Sequence, residues 1–155
     1  MVQGLPTWFI ALAVVRRVVD GEDEFLLVQE RKHGRGWFLP AGRVDHGEDF
    51  FAGARREARE EAGIPIELTG VLRVEHRPAL DHARMRVFFL AKAADDTPPK
   101  SEPDEHSMRA AWFRLADFET LPLRGIEVYQ VCRYVAEGGA VFPLDVLVPE
   151  GAPWE

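Results

Sequence analysis

Two hydrophobic periods divide the chain. From Trp8 to Val19 the residues are apolar and rich in β-branched side chains, with Arg16 and Arg17 near the end, which predicts a strand. Asp20 to Asp23 is a turn and Glu24 to Glu30 a second strand, so the pair predicts a hairpin. Lys32 to Gly36 is a basic loop, and Trp37 to Leu39 a short strand stopped by Pro40, which has no N–H to give a ladder. After a loop from Gly42 to Gly47 the period changes. Phe51, Ala54, Ala58 and Ala62 fall on one face of a helix over about Glu48 to Ala62, ended by Gly63 and Pro65. Its alanines suit close approach to a sheet. Gly53 costs about 1 kcal/mol against alanine inside a helix, and the pattern gives no reason for it.

Ile64 to Arg77 and Met85 to Ala93 predict two longer strands joined by a turn over Pro78 to His82. Asp95 to Glu105 is a polar, proline-containing loop, Ala110 to Phe113 a strand, and Leu115 to Leu121 a helical turn. Ile126, Tyr129, Cys132 and Val135 recur at helical spacing within Gly125 to Glu137. The last 15 residues carry three prolines and should wrap the surface. Strands around two helices predict an α+β fold with a mixed sheet sandwiched between helices, in one domain over 1–155, with no repeat or interior linker.

The predicted helix carries a problem of charge. Glu57, Glu60 and Glu61 lie at i, i+3 and i+4, where side chains are neighbours, and like charges so placed repel by a few tenths of a kcal/mol per pair. A solvated acidic face is the plain reading of such a group. A hard divalent cation would reverse the sign, because Mg²⁺ is held by a few carboxylates together with substrate phosphates. The net charge of −7 argues against a duplex nucleic-acid binder, and an acidic protein acting on an anion needs a local cation. The composition, 46% hydrophobic and 29% charged, is that of a soluble domain, and no apolar run approaches the ~18 residues of a membrane span. The N-terminus lacks a secretory pattern, and the one cysteine, Cys132, suits the core of a protein in a reducing cytoplasm.

The stretch from Gly42 to Ile64 resembles the signature of the Nudix hydrolases, G-x5-E-x7-R-E-U-x-E-E-x-G-U. Gly42, Glu48, Arg56, Glu57, Glu60, Glu61 and Gly63 fill its fixed positions, and Ala58 and Ile64 its apolar ones. Phe25 to Arg31, Gly36 to Gly42, Ala110 to Phe113 and Leu121 to Arg124 are similar to the flanking segments of that family, so the resemblance spans about 8–137. It implies the Nudix fold and Mg²⁺- or Mn²⁺-dependent attack of water on one phosphorus of a diphosphate linked to a further group. By position, Glu57, Glu60 and Glu61 would be metal ligands, with the Gly42 carbonyl beside them. Glu57 or the metal itself would activate the water, Arg56 would anchor the carboxylates, and Glu48 would support them.

Many relatives place a glutamate six residues before the late-strand tryptophan. Here that position is His106, with Glu105 one residue further from Trp112. Either residue is a candidate base, and both are equally readable as solvated loop residues. Trp37 and Arg43 flank the metal loop and are candidate substrate contacts, Trp37 by stacking on a base or else as core. Lys32, His33 and Arg35 could meet phosphates, as could Arg84 or Arg86. Leu39 to Val44 and Ala110 to Phe113 also look like the branch that hydrolyses oxidised-guanine nucleoside diphosphates. The resemblance therefore favours a small nucleoside di- or triphosphate of the purine type over ADP-ribose or another nucleotide sugar. A silent nucleotide-binding regulatory domain is the competing class, and the complete set of box carboxylates weighs against it. A homodimer is left open, and neither a duplex nucleic acid nor a membrane is expected as partner.

Overall fold

The computed structural model describes residues 3–155. The first strand, β1 (Thr7–Val19), organises the rest because its partner changes along its length. Its C-terminal end pairs antiparallel with β2 (Glu22–Gln29) through the predicted hairpin, whose turn holds Asp20 and Gly21 at φ 52° and 77°. Its N-terminal half instead pairs with β4 (Ala41–Arg43), in the register Ile10↔Arg43 to Leu12↔Ala41. Beyond β1 lie β6 (Ala83–Ala93), parallel to it, and β5 (Ile66–Pro78), antiparallel to β6. On the other side β2 pairs with both β3 (Trp37–Phe38) and β7 (Arg109–Arg114). The result is a mixed sheet of seven strands.

Strand alternation sorts β1 between two cores. Ala11, Ala13 and Val15 face Ala54, Ala58 and Ala62 of the first helical segment. Leu12 and Val14 face Val128, Cys132 and Val135 of α2 (Ile126–Ala136). The sheet thus lies between helices, as the pattern predicts, and Cys132 is fully buried core. On the first face small residues meet small residues, which sets the helix close to the sheet. A larger side chain at Ala58, which has no exposure, would cost about 1–3 kcal/mol in overpacking. The tail behaves as expected. Val71 and Phe142 exchange two 2.8 Å backbone hydrogen bonds, and Leu144 and Leu147 pack on the Ala58 side of the core.

Three local expectations are corrected. The segment after Pro40 is strand at Ala41–Arg43, not loop, because β1 has a free edge there. The helix α1 begins at Phe50, with Asp49 as its cap accepting from the Ala52 N–H at 2.7 Å. It is α-helical only to Glu57; Ala58–Ala62 form a wider π turn, ended by Gly63 at φ 74°. No described helix is long and apolar enough to cross a membrane.

Candidate active site

The carboxylates are held where the helix lies against β4. A Cβ at Gly42 would sit 2.1 Å from Glu57 Oε1 and 2.3 Å from its Cδ, so only glycine lets this carboxylate touch the strand. One residue earlier, the Ala41 N–H donates to Glu61 Oε1 at 2.8 Å. Glu60 lies between this group and the late loop, where His106 Nδ1 is 3.8 Å from Glu60 Oε2.

Arg56 ties the group together. Its Nε–H donates to Glu48 at 2.9 Å, and Nη1 donates to Glu57 at 2.8 Å and Glu60 at 3.1 Å. Nη2 donates to Glu48 at 3.0 Å and to the Arg43 carbonyl at 2.8 Å. Such charge-assisted bonds fix orientation as well as charge. They hold the Arg56 guanidinium firmly protonated, Glu48 more than any other partner, and they hold the Glu48 carboxyl below its usual value. Glu48 also explains Gly53: a Cβ there would lie 3.1 Å from Glu48 Oε1 and 3.3 Å from Val44 Cγ2. The helix gives up propensity to admit the Glu48 side chain.

Burial pushes the Glu57 carboxyl up against the opposing pull of Arg56. Burial also pushes Glu61 up to about 8; the charges of Glu57 and Glu30 add to this, while the Ala41 N–H opposes it. These carboxylates are short of positive charge. Among the described residues no three His, Cys, Asp or Glu side chains already converge as a cation cage. The donor chemistry nonetheless fits Mg²⁺ or Mn²⁺: Glu57, Glu60, Glu61 and the Gly42 carbonyl are hard oxygen donors, and the strand is kept bare for Glu57.

Sequence reasoning missed the residues that hold the last turn. Lys100 Nζ donates to the Glu60 carbonyl at 2.5 Å, Ser107 Oγ to the Glu61 carbonyl at 2.6 Å, and the Lys100 N–H to the Ala62 carbonyl at 2.8 Å. These cap carbonyls that a helix end leaves without partners. Ser107 is fully buried, and Asp104 fastens the loop through Lys100 at 2.7 Å and through the N–H groups of His106 and Ser107. Asp104 two residues before His106 was a readable turn signal; its attachment to a helix forty residues away was not.

The candidates now separate. His106 is brought to the acidic cluster, whereas Glu105 is 85% exposed, with its Oε1 3.4 Å from His106 Nε2. Trp37 is corrected. It is 3% exposed, with its ring edge-on to Phe113 at 4.8 Å and covered by Arg109, so it has no face to offer a base. The adjacent Phe38 lines a cleft of about 310 Å³ beside Gly42, with Ile10, Leu12 and Ala41 as apolar floor and Arg43, Arg84, Arg86, Arg124 and Glu127 around it. Arg124 lies over the Phe38 ring at 4.8 Å and Arg43 over Trp8 at 5.3 Å. The loop of Lys32, His33 and Arg35 is exposed and lines no part of this cleft.

Comparison with known proteins agrees with this geometry. Residues 9–132 match the model of the NUDIX domain. The chain is 35% identical over 150 residues to a mouse (Mus musculus) protein named 8-oxo-dGDP phosphatase NUDT18, covering 95% of this chain and 43% of that protein. It is 33% identical over 148 residues to the human (Homo sapiens) protein of the same name, covering 94% and 44%. The chain therefore spans less than half the length of these curated relatives. A solved structure of a NUDIX hydrolase from Nitrosomonas europaea superposes with a TM-score of 0.75 at 25% identity, over 95% of this chain and 99% of that one.

Proposed function

This chain belongs to the NUDIX family, and on that premise we propose that it hydrolyses the diphosphate linkage of a purine nucleoside di- or triphosphate, including oxidised-guanine forms, with Mg²⁺ or Mn²⁺ as cofactor. One observation carries the reading. The carboxylates packed on β4 and the cleft lined by arginines meet at a single residue, Gly42. A diphosphate at that junction has oxygen donors for its metal on one side and guanidinium groups on the other. Two relatives named 8-oxo-dGDP phosphatase support the choice of substrate.

Glu57, Glu60, Glu61 and the Gly42 carbonyl would hold the metal, which supplies Lewis-acid polarisation of a phosphoryl oxygen. The chain's own residues do the rest. Glu57, set against Gly42 and oriented by Arg56, takes the proton of the attacking water. Arg56 holds Glu57 and Glu60 in place, and Glu48 holds Arg56. His106 lies beside Glu60 at the edge of the cluster. Arg43 and Arg124 meet the phosphates and the nucleoside, with Phe38 as the apolar wall. Water adds to one phosphorus, the bridging P–O bond breaks, and the proton leaves through Glu57. A nucleoside monophosphate and phosphate or pyrophosphate result.

A substrate panel tests this reading: dGDP, 8-oxo-dGDP, dGTP, ADP-ribose and a dinucleoside polyphosphate, with Mg²⁺ and with Mn²⁺. The expected result is monophosphate release, fastest from a purine di- or triphosphate. ADP-ribose preferred tenfold or more would reject the substrate class and leave the hydrolase reading in place.

A further inference from the structure

A second cleft, of about 550 Å³, opens beyond the first, lined by Arg73, Glu75, His76, Arg77, Arg84 and Arg86. Arg84 and Arg86 line both clefts, so the two are continuous. Register fixes how they are arranged. Arg43, Ile10, Arg86 and Glu75 form one row across β4, β1, β6 and β5, and Trp8, Arg84 and Arg77 the next row. Paired residues project to one face of a sheet, as do residues two apart on a strand. With strands about 4.8 Å apart, three steps and a two-residue offset place Arg77 roughly 15 Å from Arg43 along one face.

The charges of this second cleft do not balance. Glu75 is taken by Arg86 at 2.8 Å and by Arg73, and Glu127 by Arg86 at 2.9 Å. Among the described residues that leaves Arg77 and Arg84 without an ion pair. They are direct cross-strand partners, and Arg84 is half-buried. Like charges facing each other across a ladder destabilise it. Two guanidiniums so placed, each with its fork of donors free, match a phosphate.

We propose that Arg77 and Arg84 form a second phosphate-binding subsite, which takes a phosphoryl group at the far end of the substrate from the scissile diphosphate. The inference rests on the proposed reading, in which the diphosphate lies at Gly42. Arg43 and Arg77 are roughly 15 Å apart along the backbone, and a phosphate bridging Arg77 and Arg84 lies beyond the diphosphate placed at Gly42, so the group is carried either on the far side of the nucleoside, as a ribose phosphate, or at the end of a longer polyphosphate chain.

Calorimetric titration with Mg²⁺ tests the subsite using guanosine 5′-monophosphate, guanosine 3′,5′-bisphosphate and a non-hydrolysable, methylene-bridged analogue of guanosine 5′-tetraphosphate. Wild type should bind at least one of the two longer probes about tenfold or more tighter than the monophosphate, the usual worth of a charge-assisted contact. Which probe gains identifies the carrier. Arg77→Gln should reduce that gain to about twofold or less while leaving monophosphate affinity unchanged, and Arg77→Lys should keep part of it. The free Arg77→Gln protein should melt no lower than wild type, because a like-charge pair is relieved. No gain for either probe in wild type, a gain that persists in Arg77→Gln, or a lower melting temperature for that variant would each overturn the subsite. Hydrolysis of dGDP by wild type, measured alongside, tests the catalytic reading separately, so the two can fail independently.

Discussion

Gly42→Ala is the smallest change that addresses the proposed chemistry. The new methyl carbon would lie 2.1 Å from Glu57 Oε1, 2.3 Å from Cδ and 2.7 Å from Oε2. Ordinary contact begins at 3.4 Å, so the carboxylate must retreat by roughly 1.3 Å. Glu57 can yield by a change of rotamer, but it then leaves its 2.8 Å bond to Arg56 and its place against Gly42. Misplacement of a reacting group by about 1 Å costs on the order of 10²-fold in rate. The backbone at residue 42 is ordinary extended strand, so alanine brings no strain, and replacing glycine reduces unfolded-state entropy by about 0.4–1 kcal/mol. The variant should therefore melt within a few degrees of wild type while kcat for a purine nucleoside diphosphate with Mg²⁺ falls about 10²-fold. Mn²⁺ affinity, read by electron paramagnetic resonance, should weaken in parallel. Activity within about threefold of wild type would exclude Glu57 from the reaction, since a displacement of this size at a participating carboxylate cannot be silent.

Further predictions follow from neighbouring features. In the metal-free protein, Glu61 keeps its proton up to about 8 when folded but releases it near 4.5 when unfolded, so stability should fall as pH rises between those values. Glu61→Gln should flatten that slope, and Mg²⁺ should reverse it by favouring the ionised carboxylate; a wild-type melting temperature that rises from pH 5 to 8 in chelator would contradict this. Trp37→Ala should lose about 3–5 kcal/mol in chemical denaturation as a core deletion, with KM for a purine nucleotide and for a small diphosphate altered alike; a loss confined to the purine substrate would return Trp37 to the substrate site. Ser107→Ala takes away the hydroxyl that donates to the Glu61 carbonyl, and should cost about 1–3 kcal/mol together with weaker Mn²⁺ binding; unchanged stability would remove Ser107 from any role in holding the last helical turn.

The legible parts of the sequence were those set by local rules. The β-branched run over β1 and the alanine face of the first helical segment predicted a sheet between helices, and that arrangement is present. The box spacing named Arg56, Glu57, Glu60 and Glu61 as neighbours, and three of these share hydrogen bonds within 3.1 Å. What escaped depends on partners distant in the chain. The π turn and its capping by Lys100 and Ser107 require knowing that the late loop crosses the helix end. Gly53 became explicable only once Glu48 was seen folded beneath it. Trp37 and Phe38 alternate on a two-residue strand, and whichever faces the cleft is set by pairing with β2, which composition does not reveal.

In the proposed mechanism the Glu57, Glu60 and Glu61 cluster holds a divalent metal that drives hydrolysis of a purine nucleoside diphosphate. Its most direct test is release of monophosphate and inorganic phosphate from 8-oxo-dGDP and dGDP, measured with Mg²⁺, with excess chelator, and in Glu60→Gln. Turnover is expected with Mg²⁺, none above background in chelator, and a loss of about 10²–10⁴ in rate for the variant. Turnover that survives chelation, or a fully active Glu60→Gln, would contradict it.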